Sequence, residues 1–196
     1  MADNIIKPDT SNILELQDAG ATSRLEIIDG GTTLLRDEGG TSALIIGTDG
    51  AITKPIQPSF LAKATSQTNI PINTQTTITF ATEIFDQGGN FDTSAYTFNA
   101  PVAGKYLFTV VLIVTSTDSA ADYFSVALFK GGSEYTRLSM QDEGQFNGDP
   151  VYWSFSGSTL MDMDASDTAL IRVYQAAGTA QADIDTMSSF SGFLVA

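Results

Sequence analysis

The chain has 196 residues, a formal net charge of −14 at pH 7, and neither Cys nor His. This excess of acidic groups excludes a basic face for DNA, RNA or anionic membrane. The lack of Cys excludes disulfides and thiolate metal sites. Because 42% of the residues are hydrophobic and only 16% are charged, the composition predicts a folded protein with a proper core.

The chain begins "MADNIIKPDTSN", which has neither a basic start nor an apolar segment of signal-peptide length. We therefore expect no cleaved signal peptide and synthesis in a cytoplasm. The longest apolar run, from Val110 to Val114, is much shorter than the ~20 residues of a membrane helix. We expect no membrane insertion.

The N-terminal region contains an internal repeat. The segments "LQDAGATSRLEI" from Leu16 and "LRDEGGTSALII" from Leu35 align at a spacing of 19 residues. Each copy has the pattern of a short strand, a Gly-containing turn and a second short strand. Such hairpins are marginal when isolated, so the repeat predicts a β-structured segment that needs a partner.

Two interpretations of this region differ in function. One is a flexible Gly-rich linker, and the other is a small stalk in which three copies of the chain intertwine. We favour the stalk, because apolar residues are too many for a solvated linker. The predicted attachment residues are Leu14, Leu16, Leu25, Ile27, Leu35, Leu44 and Ile46. The prolines of "TKPIQPSF" place the boundary near Pro58, which gives an attachment and trimerisation segment over 1–57 and a head over 58–196.

The run "KYLFTVVLIV" from Lys105 predicts a strand that is covered on both sides, because its two alternating faces are both apolar. One face belongs to the core of a sandwich. A neighbouring subunit is the simplest cover for the other face.

Further strand-like runs follow, namely "YFSVALFK", "VYWSFSGSTLM", "TALIRVYQA" and "SSFSGFLVA", with turn-rich segments between them. No convincing amphipathic helix interrupts the series. The pattern predicts an all-β fold of the jelly-roll or sandwich type.

Aromatic residues around this strand, together with one Asp and one Gly, follow a regular series: Phe80, Asp86, Phe91, Phe98, Gly104, Tyr106 and Phe108. The series resembles the signature of the complement C1q globular domain, and departs from it at Val110, where a further aromatic residue is usual. "SSFSGFLVA" is similar to that family's closing strand. The resemblance covers roughly residues 58–196 and implies the trimeric jelly roll shared with the tumour necrosis factor superfamily. The residues it assigns to the core or the trimer interface are Phe80, Phe91, Phe98, Gly104, Tyr106, Phe108, Val110, Phe190 and Phe193.

Little catalytic chemistry is expected, since carboxylates, lysines and the amino terminus are the only bases. The pair Asp162 and Asp164 leaves a remote hydrolase open. The pair Asp183 and Asp185 suits a hard cation such as calcium, with three copies meeting near a trimer axis. The resemblance implies such a calcium site in the loop before the closing strand, whereas solvated acidic loops are the simpler alternative.

A repeat segment joined to a jelly-roll head resembles a bacteriophage fibre or capsid-decoration protein, by analogy alone. The leading hypothesis is a non-enzymatic homotrimeric virion protein. Its N-terminus would hold a capsid or tail protein, and its head would project from the virion surface for stabilisation or for adhesion to a host-surface glycan. The alternative is a secreted or surface-attached lectin-like module.

Overall fold

The computed structural model describes residues 13–17, 23–28, 31–37 and 39–196 of the chain. The chain divides into two compact units, residues 1–57 and 58–196. In the described part, no helix is long and apolar enough to cross a membrane.

The first unit is a five-stranded antiparallel meander in which each strand pairs with the next. Its strands are β1 (Ile13–Gln17), β2 (Ser23–Ile28), β3 (Thr33–Arg36), β4 (Ser42–Ile46) and β5 (Ile52–Thr53). The order follows from short turns that allow only neighbouring strands to pair.

The two sequence repeats form equivalent hairpins. In the first hairpin Leu16 lies opposite Leu25, and in the second Leu35 lies opposite Leu44, which is the same pairing shifted by one repeat. The register then shifts at the same place in both hairpins, directly after Leu16 and directly after Leu35. Repeated sequence thus gives repeated backbone geometry, down to the position of an irregularity.

The first unit leaves apolar side chains open to solvent. Among the side chains described from 31 to 57 none is buried, and Leu35, Ile46 and Ile52 are 43%, 36% and 63% exposed. Of the other predicted attachment residues, Leu25 and Leu44 are half-buried, whereas the side chains of Leu14, Leu16 and Ile27 lie outside the described part. In the described part of this sheet, apolar side chains therefore stay open to solvent, and the attachment role stays a prediction.

The second unit contains two antiparallel sheets. The first sheet has the order β14-β11-β17-β6-β8, with β16 also paired to β11. Its strands are β6 (Ser59–Lys63), β8 (Thr82–Gln87), β11 (Gly104–Thr115), β14 (Tyr152–Met163), β16 (Asp183–Ile184) and β17 (Ser189–Leu194).

The second sheet has the order β13-β12-β15-β10-β9, with β7 paired to β15. Its strands are β7 (Thr76–Thr77), β9 (Phe91–Asp92), β10 (Thr97–Asn99), β12 (Ala121–Lys130), β13 (Ser133–Gln141) and β15 (Thr168–Ala177). The predicted all-β sandwich is confirmed, and the chain crosses between its two sheets several times.

The core of the second unit is built on a cluster of stacked and edge-on aromatic rings. Phe60 is its centre, with ring centroids 4.6 Å from Phe91, 5.1 Å from Phe98 and 5.1 Å from Phe190. Phe108 joins the cluster 5.7 Å from Phe190. Rings at these distances add to the hydrophobic stabilisation from their burial.

Candidate assembly face

The central strand β11 has one buried face and one open face. Tyr106, Phe108, Val110, Leu112 and Val114 are all buried in the core. The alternate residues point to the other side of the sheet, where Val111 is exposed and Leu107, Thr109 and Ile113 are only half-buried. The two-sided apolar pattern is therefore present, and among the described residues of the second unit no further layer buries the second side.

A row of apolar side chains crosses this outer face. Leu107 lies directly opposite Leu160 of β14 on one side and opposite Phe193 of β17 on the other. Leu160 and Phe193 are 51% and 46% exposed. Further along the sheet, Leu61 of β6 pairs with Ser191 of β17 on one side and lies opposite Phe85 of β8, which is 48% exposed, on the other. These apolar residues, together with Val111, which is 38% exposed, are called the assembly face below.

Small polar residues line the rest of this outer face. Val111 lies opposite Ser156 of β14 and Ser189 of β17, and Thr109 lies opposite Ser158 and Ser191. Short side chains at these positions allow another surface to approach the backbone closely. The outer face thus combines a row of apolar side chains with neighbouring positions that carry short polar side chains.

Most of the residues assigned to the core or the trimer interface lie in the core. Phe80, Phe91, Phe98, Tyr106, Phe108, Val110 and Phe190 are buried. Phe193 instead faces outward on the assembly face. The closing strand therefore contributes one aromatic ring to each side of the first sheet.

The spacing between Asp86 and Phe91 has a local cause. One carboxylate oxygen of Asp86 accepts a hydrogen bond from the Phe91 backbone N–H at 2.8 Å, across a turn that contains Gly88 and Gly89 at positive φ. Glycine adopts this conformation without steric cost. The carboxylate closes the turn and thereby positions Phe91 in the aromatic cluster.

Gly104 opens β11 where the C-terminus passes close to the backbone. A Cβ at this position would lie 2.7 Å from the Ala196 carbonyl oxygen and 2.7 Å from a methyl carbon of Leu194. The Lys105 N–H donates to that same Ala196 oxygen at 2.7 Å. The glycine therefore allows the chain end to pair with the start of β11.

Gly192 is a core position that the sequence analysis did not single out. A Cβ there would lie 2.6 Å from a Phe108 ring carbon and 2.9 Å from a Phe60 ring carbon. A glycine at an inward position of a strand is the signal that could have revealed it, since such glycines often mark close packing.

The predicted calcium ligands are engaged locally. Asp183 Oδ1 accepts from the Asn69 N–H at 2.7 Å, and Asp185 Oδ1 accepts from the Met187 N–H at 2.8 Å. Among the described residues, no group of three or more acidic side chains is placed to hold a metal ion. Within one chain these two carboxylates hold loops, and a shared calcium site between copies stays a prediction.

Asp162 and Asp164 do not form a cleft. Asp162 is exposed and lies 3.6 Å from the Lys105 ammonium, while the Asp164 N–H donates to Asp167 Oδ2 at 2.7 Å in a turn. The two residues therefore take part in surface pairing and turn geometry.

A buried acidic pair, Asp118 and Glu143, lies at one end of the sandwich, and no sequence pattern predicted it. Glu143 is 1% exposed and neither carboxylate oxygen has a hydrogen-bond partner among the described residues. Burial, with repulsion from Asp118, raises the pKa of Glu143 to about 7. The Asp118 backbone N–H opposes this rise but does not reach hydrogen-bond geometry.

Asp118 is also buried but fully engaged. Its carboxylate accepts from the backbone N–H groups of Ala120, Thr179 and Ala180. Burial raises the pKa of Asp118, and these hydrogen bonds outweigh that effect, so that the pKa lies below its usual value. The pKa values of the two neighbouring acids are thus shifted in opposite directions.

Comparison with known proteins agrees with this geometry. The family model of the C1q domain matches residues 59–195. The chain belongs to the C1q domain family. The C1q match covers the whole two-sheet unit and leaves the N-terminal meander outside it. A search of curated proteins found no match.

Solved structures show the same C1q-like fold at low sequence identity. The globular domain of zebrafish complement 1qA protein matches with a TM-score of 0.54 and 18% identity, over 71% of this chain and 98% of that one. Murine APRIL at pH 8.0 matches with a TM-score of 0.52 and 10% identity, over 71% of this chain and 99% of that one. C1q and tumour necrosis factor-like domains are generally non-enzymatic binding or structural modules, and they commonly form homotrimers.

Proposed function

We propose that the chain is a non-enzymatic, homotrimeric binding head, assembled through the assembly face and carried by the N-terminal hairpin segment. The observation that carries the proposal is the row of Leu160, Leu107 and Phe193, which crosses three strands of a sheet and is open to solvent in one copy. A contiguous apolar patch on a protein of net charge −14 is best explained by a partner that covers it.

A second copy of the same chain is the simplest partner. Closed symmetric assembly satisfies the same patch on every copy, and C1q-like domains commonly form trimers. The open apolar side chains of the N-terminal meander support the same conclusion, because intertwining of three copies would cover Leu35, Ile46 and Ile52 as well.

Trimer formation gives the head its mechanism. Three identical sites on a rigid scaffold convert weak single-site binding into firm attachment, provided that the sites engage one surface together. We propose a virion as the setting, with the meander holding a capsid or tail protein of a bacteriophage and the head projecting outward. A secreted or surface-attached lectin-like module is the alternative setting for the same trimer.

The oligomeric state is tested by analytical ultracentrifugation of the full chain at micromolar concentration. Wild type is expected to sediment as a trimer. Phe193→Glu is expected to dissociate it, because three carboxylates would be buried in the interface without partners. Met140→Glu is the matched control, since Met140 is also an exposed apolar residue, at 58% exposure, but lies on the second sheet.

A monomeric wild type, or a Phe193→Glu variant that stays trimeric, would contradict assembly through this face. The setting is tested separately, by cryo-electron microscopy of particles from the source. A three-fold knob rooted on the capsid or tail supports the virion role. Trimers found only free in solution favour the lectin-like module.

A further inference from the structure

The outer face of the second sheet contains a pocket that lies away from the assembly face. Its floor is β12, where Ser125 and Ala127 are 3% and 5% exposed although they point away from the sandwich core. They are buried because the larger side chains around them project further from the sheet. The result is a depression of about 160 Å³, called the outer pocket below.

Two of the four arginines in the chain, Arg137 and Arg172, line the outer pocket. This concentration is unexpected for a protein with a net charge of −14. Glu134 is the only acidic residue in the lining. The lining therefore carries a net positive charge in a strongly negative molecule.

Arg137 is neutralised within the pocket wall. Its guanidinium lies against Glu134, with the Nη2 to Oε1 distance at 3.1 Å and the Nε to Oε1 distance at 3.2 Å. Its remaining terminal nitrogen approaches the Met140 sulfur at 3.3 Å. Arg137 therefore helps to shape the pocket wall, while Glu134 neutralises its charge.

Arg172 is held in place without an acidic partner among the described residues. Its guanidinium carbon lies 4.6 Å from the centroid of the Phe129 ring, and its Nε donates to Thr77 Oγ1 at 3.3 Å. These contacts orient the planar group and leave both terminal nitrogens without a hydrogen-bond partner in the described part of the chain. A guanidinium in this state presents a two-pronged donor that matches a carboxylate.

The other walls suit a polyhydroxylated ring. Tyr123 and Tyr174 stand side by side with ring centroids 6.0 Å apart, and each offers an apolar face with a hydroxyl at its tip. The Ser125 hydroxyl on the floor and the Gln75 amide on the rim have no hydrogen-bond partners among the described residues. Aromatic walls with a few unpaired polar groups are the usual composition of a small-molecule site.

We propose that the outer pocket binds the carboxylate-bearing sugar of an acidic glycan, with Arg172 pairing the carboxylate and the two tyrosines flanking the sugar ring. This inference rests on the proposed binding function and names its ligand class. The volume is below that of drug-sized pockets, which restricts the occupant to a single sugar residue and not a longer segment.

The test is a titration followed by NMR, with the full chain and two matched probes. Methyl β-D-glucuronide carries the carboxylate, and methyl β-D-glucoside is its neutral counterpart. We expect the glucuronide to bind with a Kd on the order of 1 mM, as is usual for a ligand of this size, and the glucoside to bind at least about 10-fold more weakly.

Three variants locate the binding. Arg172→Gln is expected to weaken glucuronide binding by about 10-fold or more, because it removes the charged donor pair. Ala127→Leu fills the floor without changing any charge and is expected to abolish binding. Lys105→Gln is the control, since Lys105 is an exposed cation on the first sheet, and its variant is expected to bind like wild type.

Equal binding of the two probes, undetectable binding of the glucuronide, or unchanged binding by a folded Arg172→Gln variant would overturn the proposal. Competition by inorganic phosphate at equal or lower concentration would overturn its saccharide part and leave a general anion site. Sedimentation of the same samples separates this outcome from the proposed function: a trimer that ignores glucuronide rejects only the pocket, and a monomer that binds glucuronide rejects only the assembly.

Discussion

Gly192 of β17 and Phe108 of β11 pack directly against each other, so that a Cβ on the glycine would lie 2.6 Å from a carbon of the aromatic ring. The two residues lie opposite each other in the strand pairing and both face the core. The Phe108 ring therefore packs directly on the backbone at Gly192, at the centre of the aromatic cluster.

Gly192→Ala is expected to lower the free energy of unfolding by about 1–3 kcal/mol, the usual cost of overpacking a core. Neither Phe108 nor Phe60 has room to move, because each is enclosed by other rings. Chemical denaturation of the full chain measures the change. Ser191→Ala, the adjacent residue on the open face, is the control and is expected to stay within about 0.5 kcal/mol of wild type. Equal stabilities for both variants would contradict the packing argument.

Gly104→Ala is expected to be milder than Gly192→Ala, with a loss of about 1 kcal/mol. The added Cβ would meet the Leu194 side chain, which is half-buried, and the carbonyl of Ala196, which is exposed, so both have room to shift. Hydrogen exchange of the Lys105 amide reports the site itself, because that N–H donates to Ala196. Faster exchange at Lys105 with unchanged exchange in the centre of β11 is expected, whereas uniformly faster exchange would show that the effect is global.

Glu143→Gln is expected to stabilise the protein at alkaline pH and to have little effect at acidic pH. The pKa of Glu143 is raised to about 7 in the folded state, above its ordinary value of 4.5. Between these values the unfolded chain ionises while the folded one does not, so the wild type loses stability as pH rises from about 4.5 to about 7. Above pH 7 the carboxyl is ionised in both the folded and the unfolded state, and the loss in free energy of unfolding reaches its full value of about 3 kcal/mol.

Thermal unfolding at pH 5 and pH 8 checks this expectation. The groups that face Glu143 and repel its charge are Asp118 and Asp149. Glu83→Gln, which changes an exposed glutamate on β8, controls for the loss of one negative charge. A Glu143→Gln variant whose advantage is the same at both pH values would show that the carboxylate does not titrate in the folded protein.

Asp118→Ala is expected to destabilise the protein by about 1–3 kcal/mol, because three backbone N–H groups lose their charged acceptor. The folded-state pKa of Asp118 is lowered, so its stabilisation is present above the pKa of the unfolded chain and disappears as pH falls through the folded value. The cost of the substitution should therefore shrink in strong acid. Asp122→Ala, an exposed neighbour, is the control, and an equal effect of both variants on unfolding would contradict the assignment.

The sequence predicted the features that depend on local periodicity. Alternation along β11 indicated a strand with two apolar faces, one of which is the buried side from Tyr106 to Val114, and the 19-residue repeat indicated the paired hairpins of the first unit. The aromatic residues of the series lie in the core, and Phe193, which was assigned to the core or the trimer interface, faces outward. Alternation places Phe190 and Phe193, three residues apart, on opposite faces of β17, but it does not say which of the two faces is buried.

Features that depend on contacts between distant segments were beyond the sequence. Arg137 and Arg172 lie far apart in the chain and meet only because β13 and β15 both pair with β12. Glu143 was indistinguishable from other acidic loop residues, since its burial depends on the Asp118 loop that packs beside it. Asp183 and Asp185 form a suggestive pair in the sequence, yet backbone N–H groups take up an oxygen of each.

The shared register of the two N-terminal hairpins makes the meander modular in length. Each repeat contributes two strands, so one more or one fewer copy changes the sheet by roughly 10 Å in width and leaves the chain running in its original direction. Duplication or loss of a 19-residue unit is therefore a way to alter the width of the meander in fixed steps without changing its pattern of strand pairing.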